Sequence, residues 1–148
     1  MSRRSAREVV LHLIFSHDFL NNDADELLEN RLSGESFASL SDEYQLYEQL
    51  PAAAQIDYVQ DTVRGIIDHA PELDAYIEKY AVGWNVGRLS RITRAVLRLC
   101  MYETLYLQIP VAASVNEALE LVKKYDSDEA AAFVNGVLGA FIKKEVQK

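Results

Sequence analysis

RLSRITRAVLRLCMYETLYL, residues 88–107, is the stretch whose reading decides the fold. Leu89, Ile92, Val96 and Leu99 recur at spacings of three and four, the period of one helical face, and no Gly or Pro interrupts the run. Arg88, Arg91, Arg94 and Arg98 fill a sector of about 120°, partly opposite that face. They read either as phosphate contacts or as a solvated face whose arginines pair with the acidic N-terminal half. Glu103 falls inside the apolar sector. A buried carboxylate needs a partner, so an Arg or a backbone N–H group at a helix start is expected beside it, as a structural device.

Toward the C-terminus Pro110 stops this helix, and Ser114 with Glu117 three residues on has the spacing of a capping box for a helix ending at Tyr125. Ser127 or Asp128 caps the last helix. FVNGVLGAFIKK (residues 133–144) contains Asn135-Gly136, ordinarily a hairpin signal, but Phe133, Val134, Val137, Leu138 and Phe141 keep helical spacing and the helix wins. Gly136 and Gly139 then sit where another helix or a partner can approach closely. Toward the N-terminus AVGWNVGRL (residues 81–89) holds two glycines and reads as a junction between two halves. Before it come a helix from Pro71 to about Tyr80, one from Pro51 through Asp68, a helical stretch at 42–50, a Ser- and Gly-containing loop at 32–43, and a short helix at 23–32. Ala6, Val10, Leu13, Ile14 and His17 make one side of a first helix from Arg3 to about Leu20. No stretch sustains period-two alternation. The reading is all-α, about seven helices in two bundles, with an N-terminal half of about 1–82 and a C-terminal half of about 83–148.

With 148 residues, 49% hydrophobic and 26% charged, the chain is long enough to bury a core without disulfides or a structural metal. The N-terminus lacks the features of a signal peptide and no apolar run approaches the length of a membrane span, so the expected location is cytoplasmic, with no membrane partner. Cys100 lies in an apolar helical pattern and reads as packing. His12, His17 and His69 lack metal-ligand spacing, and the six glycines match no phosphate loop or nucleophile elbow, so no metal, cofactor or catalytic residue is assigned. Asp57, Asp61 and Asp68 read as solvated helix-surface charge.

The net charge of −8 argues against a polyanion partner until its distribution is considered. Residues 1–7 carry three arginines and no acid, residues 8–87 three bases against sixteen acids, and residues 88–148 nine bases against seven acids. Arg3, Arg4 and Arg7 fall within about 100° of one another on a helical wheel, and Phe15 lies three turns beyond Arg4 on nearly the same azimuth. Cations and an aromatic on one ridge suit single-stranded RNA, with guanidinium groups on phosphates and rings against unpaired bases. The alternative is a solvated first turn with Phe15 in the core.

Taken together, RSAREVVLHLIF (4–15), WNVGRLSRITRAVLRLCMYE (84–103), PVAASVNEALELVKKY (110–125) and FVNGVL (133–138) resemble the NusB family of bacterial transcription antitermination and ribosomal-RNA processing factors. The resemblance implies a single RNA-binding domain over 1–148, built as two perpendicular three-helix bundles. It also implies a non-enzymatic factor that binds boxA-type single-stranded RNA as a heterodimer with the ribosomal protein NusE, and that tethers this RNA to the elongating RNA polymerase complex with other Nus factors. The family's RNA surface maps onto Arg3, Arg4 and Arg7, with Phe15 at its aromatic position. Its partner contact maps onto Glu129, where relatives usually carry Asp, and Phe133, with Asp128 as the alternative acid. Some members dimerise through the RNA surface, which leaves monomer and homodimer both open. Two other readings stand beside this one: a NusB-like adaptor serving ribosomal-RNA modification, and a protein-only helical adaptor.

Overall fold

The computed structural model describes residues 2–20, 53–81 and 89–147. The expectations for 23–32, 32–43, 42–50, the start at Pro51, residues 82–88 and Arg88 itself lie outside them. Among the described residues six α-helices follow in order: α1 (Arg3–Leu20), α2 (Ala53–Asp68), α3 (Ala70–Tyr80), α4 (Arg91–Tyr106), α5 (Val111–Tyr125) and α6 (Asp128–Phe141), the last passing into a π-helical turn, Ile142–Val146. No strand occurs among the described residues.

The chain divides into two units, Met1–Ile67 and Asp68–Lys148. In the first, α1 buries Ala6, Val9, Val10, Leu11, Leu13 and Ile14, and α2 buries Tyr58, Val59, Val63 and Ile66. Spacings of three and four put each set on one stripe, and each fully buried aliphatic side chain contributes roughly 1.5–3 kcal/mol.

In the second unit α4 packs against α3, α5 and α6, while α6 packs against α3, α5 and the π-helical turn. Leu73, Ile77, Leu97, Leu99, Met101, Leu138 and Phe141 fill its interior. The sequence draws the junction between halves at about 82/83, whereas α3 belongs with the C-terminal helices. Two contacts explain its allegiance. Arg98, buried on α4, donates from Nε and a terminal guanidinium nitrogen to the two carboxylate oxygens of Asp74 on α3, at 2.7 and 2.9 Å. Tyr106 of α4 donates to the Glu72 carboxylate at 2.7–2.8 Å and stacks on His69 with ring centroids 4.4 Å apart. The Glu72 carboxylate, with burial adding to it, pushes the Tyr106 hydroxyl up to about 12.

The helix boundaries follow local chemistry. Ser90 caps α4, its hydroxyl accepting from Thr93 N at 3.1 Å. Ser90 and Thr93 then both donate to Asp126 Oδ2, at 2.7 and 2.6 Å, tying the start of α4 to the end of α5. Those two hydrogen bonds, Thr93's the larger, hold the Asp126 carboxyl below its ordinary range. Pro71 occupies the first turn of α3 as read from sequence, and Ser127 caps α6 by accepting from Ala130 N at 3.0 Å.

The capping box at Ser114 is corrected. Helix α5 starts at Val111, with Pro110 as its cap residue, so Ser114 is already inside the helix. It is buried, and its hydroxyl donates to Cys100 Sγ at 3.4 Å. Pro110 lacks an N–H and its ring clashes with a preceding helical turn, so a proline suits the start of the helix and not its interior. The preceding turn places Gln108 in the left-handed region at φ 52°, and the N–H groups of Leu107 and Ile109 both bond to the Glu103 carbonyl. Glu103 is 1% exposed and is not without a partner. Asn135-Gly136 lies within α6, as the helical spacing requires.

Candidate nucleic-acid and partner interfaces

The first candidate surface is the start of α1. Ser2 precedes the helix, its hydroxyl accepting from Ser5 N at 3.1 Å and its carbonyl from Ala6 N at 2.9 Å. Arg3 and Arg4 follow in a first turn that contains no acid, and both are exposed. Arginines here oppose the helix dipole, whose positive end favours anions, so the placement costs a few tenths of a kcal/mol or more in the free protein and favours a bound phosphate. The Arg3 guanidinium carbon lies 4.0 Å from the centre of the Tyr58 ring on α2. This cation–π contact restrains the Arg3 side chain.

Arg7 sits differently. It is 6% exposed and already partnered, one turn deeper than Arg3 and Arg4. Phe15 is half-buried. The structure therefore brings Arg3 and Arg4 together as surface cations and places Arg7 in the packed part of the helix. Tyr58 was invisible to sequence reading, because its role depends on a contact 55 positions from Arg3. The arginine stripe on α4 is mixed: Arg91 is exposed, Arg94 half-buried, and Arg98 buried against Asp74.

The second candidate surface is a groove of about 540 Å³ along α6, lined by Tyr80 of α3 and by Glu129, Ala132, Phe133, Gly136, Val137 and Ala140. Glu129 and Phe133 are one turn apart, so they share this face. Glu129 is exposed at the rim and Phe133, 6% exposed, lies in the wall. Asp128 is exposed in the same first turn but does not line the groove. An added Cβ at Gly136 would meet no atom within 4 Å. The missing side chain thus leaves open room and relieves no internal crowding. Tyr80 is a wall residue that helical spacing could not find, because it lies on another element. A second groove of about 430 Å³, between α5 and the opposite side of α6, is lined by Val111, Val115, Leu119 and Gly139 among others.

No group of three or more His, Cys, Asp or Glu side chains that could hold a metal ion occurs among the described residues, and no helix there is long and apolar enough to cross a membrane.

A helical scaffold that presents a cationic helix end on one unit and an acid-rimmed apolar groove on the other defines a binding protein with two kinds of surface. The chain belongs to the NusB family, whose model matches residues 4–143. It is 36% identical over 145 residues to the transcription antitermination protein NusB of Thermoanaerobacter sp. (strain X514), covering 98% of this chain and 93% of that protein. Its fold is similar to that of T. maritima NusB, with a TM-score of 0.76 and 28% identity over 99% of this chain and 94% of that one. It is also similar to a chain in a crystal structure of the antitermination factors NusB and NusE in complex with dsRNA, at a TM-score of 0.75 and 27% identity, covering 95% and 96% of the two chains.

Proposed function

We propose that this chain is a transcription antitermination factor that holds a boxA-type single-stranded RNA element as a heterodimer with the ribosomal protein NusE, and links that RNA to elongating RNA polymerase and its other Nus factors in support of ribosomal-RNA transcription. The observation that carries the reading is the acid-free first turn of α1, with Arg3 and Arg4 exposed on a chain of net charge −8. Cations so segregated direct a polyanion to one end of one helix, while the acidic remainder discourages binding elsewhere. The solved complex of NusB and NusE with dsRNA on the same fold supports NusE and an RNA as partners. The α6 groove offers the protein partner an acidic rim at Glu129 and an aromatic wall at Phe133, and Asp128 lies beside it as a second rim charge. The role is non-catalytic and cytoplasmic: binding and tethering, with no bond made or broken.

Neither surface alone neutralises many phosphates, so the joint surface with NusE does most of the holding. A fluorescence-anisotropy titration of a boxA-like RNA tests this, with and without NusE, at two salt concentrations. The expected result is tighter, salt-sensitive binding in the presence of NusE. The same RNA in duplex form separates recognition of unpaired bases from backbone contact alone. Equal and negligible binding of boxA and shuffled RNA, with or without NusE, overturns the reading.

A further inference from the structure

Tyr80 of α3 lines the α6 groove together with Glu129, and its side chain makes contacts that a surface tyrosine does not ordinarily have. Phe141 meets it edge to face with centroids 6.1 Å apart, the Lys79 ammonium lies 5.2 Å from its centre, and its hydroxyl donates to Glu145 Oε2. Lys79 Nζ donates to the same carboxylate oxygen at 3.0 Å. Glu145 belongs to the π-helical turn that closes the chain, Ile142–Val146, where Gln147 N bonds to the Ile142 carbonyl at 2.8 Å. A π-turn takes about one more residue than an α-turn and rephases the side chains after it. Here Glu145 is left with its side chain only 14% exposed and two α3 donors on one oxygen.

We infer that Glu145 is a positioning residue for the protein partner: through the Tyr80 hydroxyl it locks the ring that forms one wall of the α6 groove, and so sets the width available to the segment of NusE that enters there. The inference rests on the reading of that groove as the NusE contact. Glu145 itself is not a groove residue, so its effect on the partner passes through Tyr80. The Lys79 arm is 63% exposed and contributes little, because exposed ion pairs are weak. The hydroxyl-to-carboxylate bond is the operative contact, since it has a charged acceptor and a largely buried one. Without it the ring keeps its edge contact with Phe141 but turns freely about its side-chain torsions, and the partner must order it on binding.

The test is calorimetric titration of NusE into the full-length wild-type chain and into Tyr80→Phe, Glu145→Ala, Glu145→Gln, Lys79→Met and the double Tyr80→Phe/Glu145→Ala variant, with thermal unfolding and RNA anisotropy of each in parallel. Tyr80→Phe and Glu145→Ala are expected to weaken NusE binding by about five- to tenfold, the order of the cost of immobilising one side chain on binding. The double variant is expected to be no weaker than either single one, because both remove the same bond. Glu145→Gln, which keeps an acceptor oxygen for Tyr80 but loses the charge, is expected to fall between wild type and Glu145→Ala, Lys79→Met to stay within about twofold of wild type, and RNA binding without NusE to be unchanged throughout. Wild-type affinity in Tyr80→Phe and Glu145→Ala overturns the inference, as does a Glu145→Gln variant as weak as Glu145→Ala. If those two variants bind normally while Glu129→Ala binds weakly, the groove reading stands and only the role of Glu145 falls. If the wild-type chain fails to bind NusE, both fall together.

Discussion

Arg3, Arg4 and Arg7 show how far a helical wheel reaches. Azimuth puts all three on one ridge, but the wheel carries no information about height along the axis, and one turn separates an exposed guanidinium from a buried one. That difference decides what a substitution reports. Arg4→Glu changes a surface charge in an acid-free first turn and should leave stability within about 0.5 kcal/mol of wild type while lowering RNA affinity by tenfold or more. Arg7→Ala removes a 6% exposed guanidinium and strands whatever it pairs with, so the expected loss is about 2–3 kcal/mol of stability. Measuring urea midpoints beside RNA anisotropy separates the two effects, and an Arg7→Ala variant as stable as wild type would show that this arginine is a surface cation after all. The same lesson applies at Arg98, which belongs to a cationic stripe by sequence and to a bidentate pair with Asp74 by packing.

At the scale of elements, helical spacing was readable where one side of a helix dominates its burial, as on α5 and α6. Helix α4 instead buries Ala95 through Thr104 without a break and so takes in Arg98 and Glu103 as well as its apolar face. The helices from Arg3, from Pro71 and from Ser127 stand close to where periodicity and cap residues put them, and the helix read over 88–107 runs over Arg91–Tyr106, capped by a Ser90 that the sequence reading does not single out. Three features were not legible, and each has a physical reason. The true start of α5 was hidden by a Ser-x-x-Glu pattern that resembles a cap but sits one turn inside the helix, which begins after Pro110 with no side-chain cap. The π-helical turn has no period of its own over five residues. Tyr58 and Tyr80 join the candidate surfaces through contacts 55 and 65 positions away, which no local pattern encodes. The glycines of α6 were legible as places of close approach, and the structure divides them between its two sides. Because an added Cβ meets nothing within 4 Å at either, Gly136→Ala and Gly139→Ala should each stabilise the isolated chain by roughly 0.5–1 kcal/mol. Only Gly136 lines the groove with Glu129 and Phe133, so only Gly136→Ala should also weaken NusE. Equal effects of the two on NusE affinity would place the partner elsewhere on α6.

For the molecule as a whole, the charge distribution makes a quantitative demand. A chain of net charge −8 that binds RNA must do so through a small cationic area, so few counterions are released and each cation should be individually visible in the salt dependence. Single-stranded nucleic acid loses about 0.7 in the slope of log K against log salt for every phosphate contact removed. Replacing exposed Arg3 and Arg4 together by Ala should therefore flatten the slope by about 1.4 when RNA is titrated into the chain without NusE. The Lys143→Ala/Lys144→Ala pair removes the same formal charge from exposed positions in the π-helical turn and serves as the control. If overall charge governed binding, both double variants would shift the slope alike. If the start of α1 is the phosphate site, the arginine pair alone flattens it, and the lysine pair changes affinity only through the weak long-range field, an effect that fades as salt rises and the screening length falls below about 10 Å. An unchanged slope in the arginine variant would remove α1 from the RNA surface and return its first turn to the status of solvated charge.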